Sequence, residues 1–259
     1  MSTFLFDQII FGPVKSRRLG ISLGVNLLPT DSKLCSFDCI YCECGWNPRT
    51  REKKAVLHSR DEVRQKMKEK LTDMVKVNEL PDVITFAGNG EPTLHPEFEG
   101  IIEDTILLRN ILAPKARIAV LSNATMLHKS AVISALLLVD DNIQKLDSGN
   151  EETIRRIDCP NSNFKLKEVV ENLKSFQGKV IIQTMFIQGI FQNERIDNTT
   201  EEEVEAWLEL ISEIGPSQVM IYTIDRDTPA SGIEKVKIED LNRIADRVRE
   251  IGFEVQVSG

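Results

Sequence analysis

A cysteine-rich segment of the chain reads Lys33-Leu-Cys-Ser-Phe-Asp-Cys-Ile-Tyr-Cys-Glu-Cys44. Three of its cysteines, Cys35, Cys39 and Cys42, have the spacing C-x3-C-x2-C. A structural zinc site usually has two C-x2-C pairs or nearby histidines, whereas the nearest histidine, His58, lies 16 residues beyond Cys42. Iron–sulfur clusters are normally held by four thiolates. Three thiolates on one short loop therefore predict a cluster with one iron left open for a substrate or a cofactor.

The length and composition of the chain are those of a globular protein. It has 259 residues, of which 41% are hydrophobic and 28% are charged, and we expect residues 1–259 to form a single domain. The amino end lacks the features of a signal peptide. The longest apolar run, Ala131–Val139, is far shorter than the roughly 20 residues that span a bilayer. These features predict a cytoplasmic protein without a membrane partner.

The net charge of −8 bears on the class of substrate. Proteins that bind nucleic acids usually carry a basic surface. Here the basic clusters are short, at Lys15–Arg18, Arg49–Lys54 and Arg155–Arg156. The charge therefore disfavours a nucleic-acid substrate without excluding one.

Strand-like apolar segments alternate with helical patterns about six times along the chain. This alternation predicts an α/β fold with a parallel sheet, either open or curled toward a barrel, in which the chemistry lies after the carboxyl ends of the strands. The predicted strands are Leu19–Leu28, Val83–Ala87, Arg117–Leu121, Ile143–Leu146, Val180–Phe186, Gln218–Ile224 and Phe253–Val257. The predicted helices are Arg60–Val77, Glu97–Leu108, Lys129–Val139, Lys165–Phe176, Thr199–Ile214 and Ile238–Ile251.

Polar side chains and glycines follow several of these strands, where a ligand of such a sheet would bind. Each also has a purely structural interpretation, as a turn, a helix cap or a core glutamine with its partner inside the protein. The candidates are Gly88, Asn89, Gly90 and Glu91 after the second strand, Ser122 and Asn123 after the third, Asp147 after the fourth on the same side as Lys145, and Gln183 with Met185 on one face of the fifth.

The three cysteines, with the aromatic Tyr41 before the third, resemble the motif of the radical S-adenosylmethionine superfamily. Gly88–Glu91 is similar to the Gly-x-Gly-Glu form of a second motif of that superfamily. The resemblance implies a partial (β/α)6 barrel and a [4Fe–4S] cluster on Cys35, Cys39 and Cys42. It also implies that S-adenosylmethionine chelates the open iron, and that the reduced cluster cleaves it to a 5′-deoxyadenosyl radical that abstracts hydrogen from a substrate.

The same resemblance implies roles for the residues after the strands. Gly90 and Glu91, in the loop with Gly88 and Asn89, would hold the methionyl ammonium of S-adenosylmethionine. Its ribose or carboxylate would lie near Ser122 and Asn123, and Asp147 would bind the ribose or position the substrate. Gln183, on one face with Met185, would contact the adenosyl group or the substrate, and Tyr41 belongs to the cofactor site. An external flavodoxin or ferredoxin would deliver the electron.

Four longer strings resemble a subgroup of small single-cluster proteins that is similar to the tRNA wybutosine-synthesis enzymes. They are Phe11–Gly20, Thr85–Pro96, Gln183–Phe186 and Ile221–Arg226. Those enzymes have further cysteines near the amino end and basic additions for tRNA, whereas this acidic chain has no cysteine before Cys35. The radical chemistry is therefore expected, on a substrate that is a small molecule, a peptide or a tRNA. The alternatives are a tRNA-modifying enzyme and a non-catalytic electron carrier or sensor.

Two further thiols and one polar cluster are weaker candidates. Cys44 is either a bystander thiol or a fourth ligand, and Cys159 is either a core residue or a donor of a hydrogen atom to the substrate. Asp225 and Arg226, which follow the sixth strand, are either substrate contacts or members of surface salt bridges. The basic cluster Lys15–Arg18 and the segment Asp225–Thr228 are the expected substrate contacts.

Overall fold

The computed structural model describes residues 4–16, 19–49, 55–161 and 163–259. Arg17 and Arg18, which were expected to contact the substrate, lie outside the described residues. The strands are β1 (Ile10–Ser16), β2 (Gly20–Val25), β3 (Val83–Phe86), β4 (Arg117–Ser122), β5 (Asp141–Lys145), β6 (Ile181–Met185), β7 (Ile187–Phe191), β8 (Glu194–Asp197), β9 (Gln218–Tyr222), β10 (Ile233–Lys235) and β11 (Val255–Ser258).

Eight of these strands form one curled sheet in the order β1-β2-β3-β4-β5-β6-β9-β11. Every neighbouring pair is parallel except β1 and β2, which are antiparallel. All seven predicted strands belong to this sheet, and its curvature makes it the half-barrel that the sequence predicted. The strands β10, β7 and β8 form a separate small sheet that was not predicted.

Among the described residues, seven α-helices cover the outer face of the large sheet. They are α1 (Arg60–Val77), α2 (Phe98–Leu112), α3 (Ser130–Leu136), α4 (Glu151–Ile157), α5 (Leu166–Lys174), α6 (Glu201–Ile214) and α7 (Ile238–Glu250). Helix α6 is capped at its amino end, because the side chain of Thr200 accepts a hydrogen bond from the backbone N–H of Glu203. In the described part of the chain, no helix has both the length and the apolar character needed to cross a membrane.

The sheet buries different groups on its two faces. The main hydrophobic core lies between the outer face and the helices, and it contains apolar strand residues such as Ile84, Phe86 and Ile182. A small separate apolar cluster includes Ile143 and Ile181 on the inner face. Because side chains alternate along a strand, Lys145 and Gln183 share this inner face, one step nearer the carboxyl ends of β5 and β6.

Candidate cofactor site

The cysteine loop is held by backbone hydrogen bonds to two other segments. On one side Leu34 pairs with the loop after β3: its N–H donates to the carbonyl of Asn89 at 2.8 Å, and its own carbonyl accepts from the N–H of Glu91 at 3.1 Å. On the other side the N–H of Asp38 donates to the carbonyl of Asp158 at 2.9 Å. The two predicted motifs therefore meet at the carboxyl ends of the strands.

Hydrogen bonds within the loop fix the positions of its cysteines. The N–H of Cys42 donates to the carbonyl of Cys39 at 3.1 Å, which forms a tight turn between these two residues. The sulfur of Cys35 accepts bonds from the N–H of Phe37 at 3.4 Å and from the amide of Asn123 at 3.5 Å. The side chain of Asn123 thus touches the first cysteine directly.

The donor set suits a four-iron cluster. Within the described ranges, no three His, Cys, Asp or Glu side chains are arranged to hold a single metal ion. A cluster of four irons makes a different demand, because each cysteine binds a different iron and the sulfurs need not converge on one point. Cys35, Cys39 and Cys42, all free thiols on one loop, therefore fit a cluster that leaves its fourth iron open.

The thiols differ in their electrostatic surroundings. Burial raises the pKa of Cys35 to about 12 and that of Cys39 well above its ordinary value. Interactions with the neighbouring Cys44 and with Lys33 together lower the pKa of Cys42 to about 6, against the effect of burial. The interaction with Cys42, together with burial, raises the pKa of Cys44. The thiol of Cys44 donates to the carbonyl of Gly88 at 3.4 Å, which links the cysteine loop to the loop after β3.

Lys33 is a buried cation beside this loop, with 2% of its surface exposed. Its ammonium group donates to the carbonyl of Gly45 at 2.9 Å and to the carboxylate of Asp38 at 3.2 Å, and it hydrogen-bonds the thiol of Cys42. Burial alone would lower the pKa of Lys33, but the three cluster cysteines and Asp38 together raise it. No pattern in the sequence indicates a role for Lys33.

Gly90 and Asn89 shape the loop after β3. A Cβ atom on Gly90, which has φ +136°, would lie 1.9 Å from the carbonyl oxygen of Leu34, so only glycine permits the approach of the cysteine loop. The side-chain amide of Asn89 donates to the carbonyls of Phe6 at 2.9 Å and Pro29 at 2.8 Å, and its oxygen accepts from the N–H of Phe6. The side chain of Asn89 thus holds neighbouring segments of the protein.

The carboxylate of Glu91 is buried and joins two strand ends. It accepts hydrogen bonds from the N–H and hydroxyl of Thr93 and from the N–H of Asn123, the last at 2.6 Å. Burial raises the pKa of Glu91, and these hydrogen bonds oppose that shift. The side chain of Ser122 also hydrogen-bonds this carboxylate. Protein groups therefore engage both oxygens of Glu91.

The end of β4 also contacts the cysteine loop. The amide of Asn123 donates to the hydroxyl of Ser36 at 2.8 Å, and its oxygen accepts from Thr125. The hydroxyl of Ser122 accepts from the N–H of Ala124 at 3.1 Å. Asn123 therefore links the cysteine loop to Glu91, and Ser122 precedes it at the end of β4.

Tyr41 belongs to a buried network at the end of β5. Its hydroxyl donates to the carboxylates of Asp147 and, at 3.3 Å, of Asp158. The ammonium group of Lys145 donates to the same carboxylates at 2.6 Å and 3.0 Å and lies 4.5 Å from the centre of the Tyr41 ring. Lys145 and Asp147 thus face the same way, as the strand period predicted. No pattern in the sequence marks Asp158, because this residue reaches the network from the end of α4 only through the fold.

The carboxylate of Asp147 is occupied by protein groups. Its second oxygen accepts from the N–H of Met185 at 2.9 Å, so Asp147 joins β5 to β6. Gln183 and Met185 are both buried, and the oxygen of Gln183 lies 3.5 Å from the hydroxyl of Tyr222 on β9. These residues line the same end of the half-barrel as the cysteine loop.

The three weaker candidates have protein partners. The thiol of Cys159 donates to the carbonyl of Arg156 at 3.4 Å, and burial raises the pKa of Cys159 to about 11. Arg226 pairs with Glu43 at 2.7 Å, and Asp225 lies 3.5 Å from Lys235. Asp225 and Arg226 thus take part in surface salt bridges, and the pair of Arg226 with Glu43 links the segment after β9 to the cysteine loop.

Comparisons with known proteins agree with this geometry. Residues 31–199 match the model of the radical SAM superfamily, where SAM is S-adenosylmethionine. A UPF0026 protein of Methanocaldococcus jannaschii is 30% identical over 247 residues, which are 94% of this chain and 72% of that protein. A Brachyspira hyodysenteriae protein named GTPase Obg is 31% identical over 238 residues, and the match covers 90% of this chain but 32% of that protein.

Solved structures share the fold. A radical SAM methyltransferase from Sphaerobacter thermophilus superposes with a TM-score of 0.67 at 16% identity, over 92% of this chain and 65% of that one. Archaeal TYW1 superposes with a TM-score of 0.53 at 12% identity, over 88% of this chain and 71% of that one. The chain belongs to the radical SAM superfamily of enzymes. Within it, the chain is a member of the group of UPF0026 proteins.

Proposed function

We propose that this enzyme binds one [4Fe–4S] cluster through Cys35, Cys39 and Cys42, binds S-adenosylmethionine beside it, and removes a hydrogen atom from its substrate. The pairing of Leu34 with Gly90 carries this proposal, because it joins the cysteine loop to the Gly88–Glu91 loop. A non-catalytic iron–sulfur electron carrier would not need a buried carboxylate where these two loops meet. When bound, the reduced cluster and S-adenosylmethionine would supply a 5′-deoxyadenosyl radical.

The residues around the loop would orient the cofactor. Glu91 would face the methionyl ammonium with its carboxylate, while the backbone at Gly88, Asn89 and Gly90 would line the same end of the ligand. Ser122 and Asn123 would lie near the ribose or the carboxylate.

The second half of the site would act through the buried network. Tyr41 and Asp147 would hold the adenosyl end of S-adenosylmethionine in place. Lys145 contacts both residues and so fixes their positions. Gln183 and Met185 would contact the adenosyl group or the substrate from the inner face of β6. We retain Cys159, Asp225 and Arg226 as proposed substrate-facing residues at the edge of this site.

A one-electron donor of the flavodoxin or ferredoxin type would reduce the cluster. The cluster needs its thiols in the reduced state, so we also propose a cytoplasmic location. Residues from β3 to β6 and the cysteine loop all contribute to one site on one sheet, which supports the proposal that residues 1–259 act as a single domain.

The test is the cleavage of the cofactor. Anaerobically reconstituted protein, reduced with dithionite and given S-adenosylmethionine, should slowly form 5′-deoxyadenosine even without a substrate. The variant Cys42→Ala, treated identically, should form none. Failure of a fully loaded and reduced protein to form this product would refute the proposal and favour an electron carrier.

A further inference from the structure

The ammonium group of Lys33 is held within the cysteine loop, beside the proposed cluster. It donates to the carbonyl of Gly45 at 2.9 Å and to the carboxylate of Asp38 at 3.2 Å, and it also interacts with the sulfur of Cys42. The first two contacts fix the ammonium group, and the third places it on a cysteine that would bind iron. The charge is therefore held against a cluster ligand by the fold itself.

A buried cation of this kind needs compensating negative charge. The carboxylate of Asp38 provides only part of it, because its side chain is 25% exposed and also accepts two hydrogen bonds from Asn47. Cys42, Cys35 and Cys39 also lie close enough to Lys33 to interact with its charge. Lys33 thus faces the charge that a bound cluster and its ligands would carry.

The second buried lysine of the site is compensated differently. Lys145 donates to two carboxylates, Asp147 and Asp158, whose side chains are each 1% exposed. Lys145 acts on Cys39 from this network. Lys33 lies within the cysteine loop itself, where it acts on Cys35, Cys39 and Cys42 together.

We propose that Lys33 sets the reduction potential of the cluster held by Cys35, Cys39 and Cys42, by stabilising its reduced state. One-electron reduction adds a negative charge to the cluster, and a fixed cation in a region of low dielectric constant favours that state. Hydrogen bonds to ligand sulfurs are a known means of raising cluster potentials. Lys33 would act on the cluster through its charge and would not touch the substrate. This inference rests on the proposed function, because it requires a bound cluster.

The test compares the midpoint potentials of reconstituted variants by EPR-monitored redox titration without S-adenosylmethionine. In Lys33→Met, the ratio of reduced to oxidised cluster at a fixed potential should fall about tenfold, which is about 59 mV for a one-electron couple. Asp38→Asn removes a negative charge but keeps the acceptor oxygen, so its potential should shift the opposite way. Lys174→Met, an exposed lysine of α5 paired with Glu213, should leave the potential unchanged.

Opposite shifts in the two variants would support the inference, because a merely structural role would not reverse sign. Unchanged potentials, or shifts in the same direction, would overturn it. If Lys33→Met does not load a cluster, the direction of the shift in Asp38→Asn decides. If neither variant binds a cluster, ENDOR spectroscopy of the reduced wild-type protein, labelled with 15N at its lysine side chains, decides. The inference requires a magnetic coupling between the cluster and a lysine nitrogen, and its absence would overturn the inference. A wild-type protein that binds no cluster would instead refute the proposed function.

Discussion

The hydroxyl of Tyr41 donates a hydrogen bond to the carboxylate of Asp147, which follows it by 106 residues. This bond fastens the cysteine loop to the end of β5, between the second and third cysteines of the motif. The same carboxylate receives Lys145 and the backbone of Met185. The cysteine loop and two strands of the half-barrel therefore share one buried anion.

The Tyr41–Asp147 bond should stabilise the fold measurably. Tyr41→Phe removes one hydrogen bond to a charged group, so the free energy of unfolding should fall by about 1.5–3 kcal/mol. Urea unfolding of Tyr41→Phe, Asp147→Asn and the double variant would measure the coupling between the two residues. Iron content after reconstitution should stay at the wild-type level in Tyr41→Phe. Strictly additive effects of the two substitutions would contradict a direct interaction.

The close contact at Gly90 makes a prediction about cluster assembly. Gly90→Ala places a methyl group against the carbonyl of Leu34, so the cysteine loop must move although every cysteine is retained. We expect most of the iron to be lost on reconstitution. Gly215→Ala is the matched control, because this glycine also has positive φ, at 62°, but a Cβ there meets nothing within 4 Å. Full iron content in Gly90→Ala would show that the pairing of the two loops is dispensable.

The cysteine series separates ligands from bystanders. Cys35→Ala, Cys39→Ala and Cys42→Ala should each abolish the cluster, whereas Cys44→Ala and Cys159→Ala should retain it. The reason for Cys44 is that its thiol donates a hydrogen bond to the carbonyl of Gly88 at 3.4 Å, so it is engaged outside the proposed ligand set. Iron and sulfide analysis with the EPR spectrum of the reduced protein would measure this. Loss of the cluster in Cys44→Ala would make it a fourth ligand and remove the argument for an open iron.

Glu91 offers a test of cofactor placement. Glu91→Gln removes the charge that would face the methionyl ammonium, so the affinity for S-adenosylmethionine should fall roughly ten- to hundredfold. The side-chain NH2 group of the glutamine would also face a backbone N–H that now donates to Glu91, so two donors would oppose each other. We therefore expect the free energy of unfolding to fall by about 1–3 kcal/mol. Calorimetric titration of cluster-loaded protein measures the first effect and urea unfolding the second.

The control for Glu91 lies at the opposite end of β3. Asp82 accepts a hydrogen bond from the N–H of Ile21 at 2.8 Å, far along the strand from the cysteine loop. Asp82→Asn should leave the affinity for S-adenosylmethionine unchanged. If Glu91→Gln loses stability but binds S-adenosylmethionine as tightly as the wild type, the carboxylate is only a structural link between Thr93 and Asn123.

The strands and helices were predictable because their residues carry a local periodic pattern. The segment Arg60–Val77 was predicted with the bounds that the structure shows, since its buried residues recur at helical spacing. Strand β1 was missed because most of its residues are exposed and it lacks an apolar core pattern. Helix α4 was missed because it has only seven residues, of which two are buried.

The contents of the site were predictable in part, because the motifs mark the ends of strands. What the pattern could not provide was the set of contacts between distant segments. The pairing of Leu34 with Gly90, the bond from Arg226 to Glu43 across 183 positions, and the approach of Asp158 to Tyr41 all depend on how the sheet curls. No local periodicity encodes such contacts. The position of Lys33 beside the cysteines could likewise not be predicted, because its burial is visible only in the structure.

Asp141 should make stability depend on pH. It lies at the start of β5 with 2% of its surface exposed. One of its carboxylate oxygens pairs with Arg117, while the other is buried and, within the residues described, has no hydrogen-bond partner. Burial raises the pKa of Asp141, and the attraction of Arg117 only partly opposes this shift.

The direction of the effect follows from proton linkage. An unfolded aspartate has a pKa of about 3.9, and the folded value is higher, so between the two values the folded protein binds the proton more tightly. The stability present below the unfolded pKa is therefore lost as the pH rises through the folded pKa. Asp141→Asn cannot titrate, so its free energy of unfolding minus that of wild type should increase as the pH is raised from about 4. Urea unfolding of metal-free protein across that range measures this difference, with the exposed Asp246→Asn as the control. A difference that stays constant with pH would show that the buried carboxylate does not titrate as its surroundings require.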